Sequence, residues 1–239
     1  FSIDSTVSRF GFDVDSDSFL SNIDAIKNIP NVQLVGLHCH FPNRDLESFR
    51  FRALGLIRIC KILFPNHPPE ILNIGGGFYS HLPSYLKSRV SGQYATFDEY
   101  ASVIGQIVSD AYPDRVSAPT LFLEPGTALV ADVLQFYTQI ISIKEVRHNF
   151  FATVAGSIFD ISPNAKSRLL PVFPLCNPHL DARSRSIHDF KIVGFTCIEG
   201  DILTDSLQAP LMTGDVLVYS NVGSYSLVMR PPFILPSNP

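Results

Sequence analysis

The sequence runs to 239 residues and 26.5 kDa and is 46% hydrophobic and 17% charged, enough apolar matter for one or two cored domains and too much for a disordered chain. Its formal charge is −4, from 18 Lys and Arg against 22 Asp and Glu without a basic run, which excludes the electrostatic footprint of a nucleic-acid binder. Residues 121–143, the most apolar long stretch, are interrupted by Glu124, Pro125, Gly126, Asp132 and Gln135, so no membrane helix is expected. Cys39, Cys60, Cys176 and Cys197 form no CxxC pair, which fits free thiols in a reducing, cytoplasmic setting. The charged fraction lies below the usual quarter or so, and a surface partly covered by another chain is expected from it.

The first half alternates helix-like and strand-like segments, the pattern of parallel strands joined by crossover helices. Phe1 is not a methionine and no signal-peptide pattern follows, so sequence upstream is expected. Ser16 or Asp17 is placed to cap a helix carrying Phe19, Leu20, Ile23 and Ile26, stopped before Pro30. Residues 32–38 (VQLVGLH) read as a strand. Residues 45–64 read as a long helix with Leu46, Phe49, Leu56 and Ile59 near one face, ended by Pro65. Residues 71–74 form the next strand and run into Gly75, Gly76 and Gly77. Phe97, Tyr100, Val103, Ile104, Ile107 and Val108 then follow helical spacing up to Tyr112 and Pro113, and the strand at 120–123 ends in Glu124, Pro125 and Gly126. From about Val130 the texture is β: FYTQIISIKEV, FFATVAG, KIVGFTCI and DVLVYSNVG. The expected domains are therefore 1–135, an α/β unit, and 136–239, an all-β unit. With residues 8–12 counted as a strand, the first unit holds about four strands, half of a closed barrel, and its sheet edge and apolar interior need another half.

Polar groups cluster where the strands of the first half end, the face that carries function in parallel barrels. Three glycines after an apolar strand can aim backbone amides at an anion such as phosphate, or can simply make a tight turn. His38 and His40 lie two apart and share one side of a strand, the spacing of a metal-binding HxH pair; a packed or cofactor-facing histidine is the plainer alternative. Glu124 at a strand end serves equally as a base, a ligand or a partner for a protonated ring nitrogen. Cys197 leaves a strand for a turn, either as an exposed reactive thiol or as a small buried hydrophobe. Tyr225 either reaches a phosphate or closes one end of a β-barrel.

Taken together and in order, HCH, LNIGGGF, LFLEPGT, GFTCIEGD and GDVLVYSNVGSYS resemble the fold-type III pyridoxal-phosphate decarboxylases of the diaminopimelate, ornithine and arginine group, over about residues 8–230. SRFGF at residues 8–12 is similar to the family's short segment ahead of the histidine strand. The resemblance implies the C-terminal half of a (β/α)8 TIM-like barrel, alanine-racemase-like, followed by a C-terminal β-barrel domain. It also implies pyridoxal 5'-phosphate as cofactor, a small amino-acid-like substrate, and a head-to-tail homodimer with shared active sites. It places His40 against the pyridine ring, the amides of Gly75, Gly76 and Gly77 on the phosphate, and Glu124 beside the ring nitrogen. Pro125, Gly126 and Thr127 fall in the family's cofactor-binding EPGR motif, Cys197 matches a candidate general acid reaching across the dimer, and Tyr225 matches a phosphate-touching tyrosine.

This sequence departs from the family at several positions. Pro42 and Asn43 replace Gly-Ser, which removes a phosphate hydroxyl. Thr127 replaces the EPGR arginine, which removes a fixed cation. Ile198 replaces an acidic residue that reads a distal amine, and Glu199 stands one place late, facing the other way if the segment is a strand. Arg168 resembles an arginine that binds a distal carboxylate, with Arg183 and Arg185 as other cations for an acidic substrate. The family's Schiff-base lysine lies more than a hundred residues before the histidine strand, and none of Lys27, Lys61, Lys87, Lys144, Lys166 or Lys191 stands in its motif, so this chain alone is not expected to turn over. Two other readings stay open: a non-catalytic, regulatory relative that binds a partner, and a metal-dependent barrel hydrolase built on His38 and His40.

Overall fold

A computed structural model describes residues 8–90, 93–162 and 170–230. The chain divides into two compact units, Phe1–Tyr79 with Ser91–Gly126, and Ser80–Val90 with Thr127–Pro239.

In the first unit, α1 (Phe19–Lys27) follows Ser18 and buries Phe19 and Ile23 against Ile59 and Leu63. Next come β1 (Gly36–His38), α2 (Leu46–Leu63) and β2 (Ile71–Gly76). A short α3 (Ser84–Lys87), which belongs with the second unit, separates β2 from α4 (Phe97–Ala111), and β3 (Thr120–Glu124) ends the unit. The three strands are parallel in the order β1-β2-β3, with Gly36 opposite Ile71 and Leu72 opposite Leu121. The helices form for local reasons. The Asp45 side chain accepts the Ser48 amide at 2.8 Å to cap α2, and Thr96 with Glu99 makes a reciprocal capping box at α4. Phe49, Leu56 and Ile59 are buried as their spacing predicts, whereas Leu46 is only half-buried and Phe97 stands exposed.

Two expected strands are trimmed. Residues 32–35 precede the strand rather than forming it, because Asn31 adopts φ 64° in a turn and pairing begins where Glu70 and Ile71 donate to the Val35 carbonyl. Residues 8–12 form no strand; Phe10 is exposed, with the Arg9 guanidinium 4.6 Å from its ring. The described sheet of this unit therefore has three strands, not four.

The second unit opens with α5 (Thr127–Val130) and a 3-10 turn, Ala131–Val133. It continues through β4 (Phe136–Val146), β5 (Asn149–Val154), α6 (Ile158–Ile161), β6 (Val172–Leu175), β7 (His188–Val193), β8 (Ile202–Ala209) and β9 (Val216–Tyr219). These strands form one six-stranded sheet in the order β6-β9-β4-β5-β7-β8. The long β4 pairs with β9 along its first part and β5 along its second, so one strand bridges both parts of the sheet. Ile140, Val154, Phe190, Ile192, Leu203, Leu217 and Tyr219 fill its core. β7 stops at Val193, so residues 194–198, the end of the expected strand KIVGFTCI, are loop, continuous with the turn that follows them. The architecture is thus part of a parallel α/β fold followed by a sheet domain. No helix among the described residues is long and apolar enough to cross a membrane.

Candidate functional site

Three side chains of the first unit meet at the ends of its strands: ligand atoms of His38, His40 and Glu124 all lie within 4.8 Å of one another. His38 lies on β1 and Glu124 ends β3, while the β2 end between them supplies the backbone that orders the group. His38 Nε2 is 3.5 Å from Glu124 Oε1, and both side chains are about half exposed. Asn73 Nδ2 donates to the same Oε1 at 2.8 Å, which leaves Oε2 without a hydrogen bond among the described residues. The Asn73 Oδ1 accepts the Gly75 amide at 2.9 Å, so one side chain links the glutamate to the glycine run.

The glycine run is a necessity of close approach. The β2–β3 register shifts between Asn73 and Gly76, and Gly75 sits at φ +74°, where a side chain is strained. A Cβ on Gly75 would come 2.4 Å from the Cys39 carbonyl oxygen, and one on Gly76 2.3 Å from that of Glu124. The Gly76 amide donates to His40 Nδ1 at 3.1 Å. With Nδ1 accepting, a neutral imidazole carries its proton on Nε2. Burial lowers the His40 pKa from its ordinary value and the nearby Arg52 charge adds to this, while Glu124 opposes it. Cys39, between the two histidines, is pushed up to about 12 by burial, so its thiol stays protonated.

Sequence reasoning missed Arg52, which is 2% exposed. Its guanidinium donates to the carbonyls of Gly76 at 2.7 Å, Phe41 at 2.8 Å, Asn43 at 2.5 Å and Ile74 at 3.4 Å, and Nε donates to Ser48 Oγ at 3.3 Å. The cation also lies 4.0 Å over the Phe49 ring. Phe49 in turn packs with Phe78 and Tyr100, their centroids 4.5 to 5.1 Å apart. The available signal was an arginine at a position where the α2 pattern turns inward, four residues after Ser48. Asn73 was also missed, having been read only as a strand residue.

The other expected site residues lie apart from this cluster in the chain. Gly126 has φ +37° and closes the first unit, and Pro125 precedes it. Thr127, Cys197 and Tyr225 belong to the second unit. There Thr127 Oγ1 is 3.0 Å from Ser224 Oγ, so the hydroxyl in the arginine position has a partner. Tyr225 is exposed at φ +64°. Cys197 is exposed on the 194–201 loop, and its neighbours are fixed by Asp201. That carboxylate, 2% exposed, accepts from Thr196 Oγ1 at 2.6 Å, the Ile158 amide at 2.7 Å, Ser157 Oγ at 3.0 Å and the Thr196 amide at 3.3 Å. Because this segment is a loop, strand alternation does not decide where Glu199 faces. Arg185 is committed to Asp215, with contacts of 2.6 and 2.8 Å, and is not a free cation for a substrate. Arg183 is exposed, and Arg168 lies outside the described residues.

Comparison with known proteins gives a consistent picture. Residues 2–131 match the family model for the pyridoxal-dependent decarboxylase pyridoxal binding domain, and residues 127–223 match that for its C-terminal sheet domain. The diaminopimelate decarboxylase of Bacillus methanolicus is 26% identical over 97% of this chain and 55% of its own length. That of Archaeoglobus fulgidus is 28% identical over 82% of this chain and 45% of its own length. In three dimensions, the Methanocaldococcus jannaschii diaminopimelate decarboxylase superposes with a TM-score of 0.78 at 23% identity, covering 96% of this chain and 52% of that one. The arginine decarboxylase of Paramecium bursaria Chlorella virus gives 0.65 at 19% identity, covering 85% and 52%. The chain thus spans about half the length of the relatives it matches.

Proposed function

The chain belongs to the pyridoxal-dependent decarboxylase family, and from that premise we propose that it carries the later part of a pyridoxal phosphate site in an amino-acid decarboxylase. The observation that supports this most is the joining of Glu124, His40 and the glycine run through Asn73 and Gly76. The residues fit the group. Glu124 Oε2 is open to a protonated ring nitrogen, and the exposed His40 ring is held at a fixed tautomer. The Gly75 and Gly76 amides already have acceptors within the chain. The Gly77 amide faces the Glu124 carbonyl through the parallel pairing of Gly76 with Glu124, so in this reading the glycine run borders the phosphate by close backbone approach.

Bound pyridoxal phosphate supplies an electron sink for the pair left when an α-carboxylate departs as carbon dioxide. Glu124 keeps the ring nitrogen protonated by accepting its hydrogen, which strengthens that sink. His40 restrains the ring through its flat face, because the Gly76 amide holds the imidazole from behind. Cys197 returns a proton to the α-carbon, delivered across a head-to-tail homodimer on a loop that Asp201 stiffens. The names of the relatives favour a diaminopimelate-like amino acid as substrate, and the Ile198 replacement weighs against a diamine-type side chain. Pro125 and Gly126 complete the cofactor's surroundings within the first unit in this reading. The test is carbon dioxide release from labelled diaminopimelate, lysine, ornithine and arginine by the whole protein with Glu124→Ala as control. Loss by orders of magnitude in the variant with the dimer intact supports the assignment, and near-normal rates refute it.

The His38, His40 and Glu124 cluster favours a second reading, a divalent-cation site, because two imidazoles and a carboxylate suit zinc. It predicts stoichiometric zinc and no yellow colour after incubation with pyridoxal phosphate; a yellow protein without zinc excludes it.

A further inference from the structure

Two buried carboxylates of the second unit meet at one serine. Asp160 accepts the Ser157 amide at 2.8 Å, while Asp201 accepts the Ser157 hydroxyl at 3.0 Å and the Ile158 amide at 2.7 Å. The nearly buried Asp160 side chain is paired with Arg230, whose Nε lies 2.7 Å from Oδ1. Burial pushes the Asp160 carboxyl up, the Ser157 amide and Arg230 act against this, and the charge of Asp201 adds to it. Arg230 therefore offsets the repulsion of two anions that share Ser157. Each end of this series of contacts is a candidate site segment. Arg230 follows a turn in which the Met229 amide donates to the Tyr225 carbonyl at 3.0 Å. At the other end, Asp201 accepts the Thr196 hydroxyl at 2.6 Å and the Thr196 amide at 3.3 Å. That hydroxyl accepts the Ile198 amide at 3.3 Å, so both neighbours of Cys197 are tied to the same carboxylate. A Cβ on Gly194 would stand 2.1 Å from Asp201 Oδ2, so the start of the loop closes over it.

We propose that Asp160 and Arg230 are positioning residues for Cys197: Arg230 fixes Asp160, Asp160 sets the Ser157 donors, and these aim the Asp201 carboxylate that holds Thr196 and Ile198 on either side of the thiol. The turn at Tyr225 and the loop at Cys197 are thereby held as one body. This rests on the reading of Cys197 as the group that returns a proton. Without Arg230, Asp160 is left buried beside a second anion and has no cation. It must then take up a proton or turn toward solvent, and either weakens its charge-assisted hold on the Ser157 amide.

The test follows amide exchange by NMR in the whole protein, unmodified and as Arg230→Gln, Arg230→Lys and Asp160→Asn. The Ile158 and Thr196 amides, held by Asp201, are read against the Asn177 and Met212 amides, held in the same unit by Asp215. Arg230→Gln and Asp160→Asn should speed exchange at Ile158 and Thr196 about tenfold or more and leave Asn177 and Met212 within about twofold. Arg230→Lys, which keeps the charge, should restore most of the protection. Alkylation of Cys197 should lose its single rate in the first two variants, while the exposed Cys176, outside this network, keeps one. Equal acceleration at all four amides is general loosening and overturns the proposal, as does an unchanged Thr196 amide or an unchanged Cys197 rate. If the variants do not fold, the unmodified protein decides: under rising denaturant the Ser157, Ile158 and Thr196 amides must exchange with one common slope, and separate slopes overturn it. Product formation unaltered by Cys197→Ala, with Thr196 exchange still accelerated in Arg230→Gln, refutes the proton-return reading and leaves the coupling standing.

Discussion

The two units each bury a charge beneath a loop that carries a candidate site residue, and they do it with opposite signs. In the first, the Arg52 cation is surrounded by carbonyls and holds the segments around His40 and the glycine run. In the second, the Asp201 anion is surrounded by amides and hydroxyls and holds the loop around Cys197. Neither has an oppositely charged hydrogen-bond partner among the described residues, so each is balanced by oriented backbone and hydroxyl dipoles. The second unit also contains the conventional solution, Arg185 paired with Asp215. Neutral partners fix a loop's geometry through several directed bonds without an opposite charge, whereas the ion pair joins its two carriers through a two-pronged contact. The unpaired charges underlie candidate functional loops, and the ion pair ties together the loop at Asn177 and the turn at Met212.

Breaking the conventional pair should have the largest effect on stability. Asp215→Ala strands the nearly buried Arg185 and removes the acceptor of the Asn177 and Met212 amides, so about 3–5 kcal/mol of unfolding free energy should be lost in a denaturant titration. Burial pushes the Asp215 carboxyl up, but Arg185 and these two amides outweigh it and hold it below the ordinary value. Its stabilising contribution is therefore complete above the ordinary carboxyl range and is lost as pH falls through its lowered value. Asp201→Ala should cost less, on the order of 2–3 kcal/mol from orphaned donors. It should also broaden Cys197 alkylation kinetics as the loop loosens, and a single unchanged rate would deny Asp201 its part in placing the thiol.

The cysteines sharpen the contrast between the units. Burial pushes Cys39 and Cys60 up to about 12, whereas Cys176 and Cys197 are exposed. Two thiols should react rapidly with a disulfide reagent in the native protein and four after denaturation, and four fast thiols would contradict the packing of the first unit. The pH dependence of that unit is a smaller effect. His40 has a folded pKa below its ordinary value, so the unfolded chain takes up its proton first as pH falls. Stability is full above about 6.5 and declines between there and the lowered folded value. His40→Gln should flatten that decline in melting temperature. Smallest of all, Ser224→Ala removes the Thr127 contact and should cost roughly 1 kcal/mol.

Much of this was legible in the sequence where local physics decides. The helices at Leu46–Leu63 and Phe97–Ala111 announce themselves through spacing and caps, and the order of His38, the glycine run and Glu124 places all of them at strand ends. Residues 8–12 and 32–35 were over-read as strands, because an apolar or β-branched composition does not reveal whether a pairing partner exists. Residues 194–198 were over-read for the same reason, since Asp201 holds them in a loop while it binds Ser157 and Ile158, more than forty positions away. Arg52 and Asn73 were harder to read because their roles are set by what surrounds them. The position of Arg52 on the inward face of its helix is the one sign it gives and does not name the carbonyls it meets, and an asparagine within a strand gives no sign of linking a glycine to a glutamate.

The central claim is that Glu124 receives the protonated ring nitrogen of pyridoxal phosphate in the first unit. Pyridoxal phosphate labelled with 15N in the ring, bound to the unmodified protein and to Glu124→Gln, tests it most directly by NMR. The account predicts a protonated pyridine nitrogen in the first and a deprotonated one in the second at the same pH. An identical ring-nitrogen shift in both would contradict it.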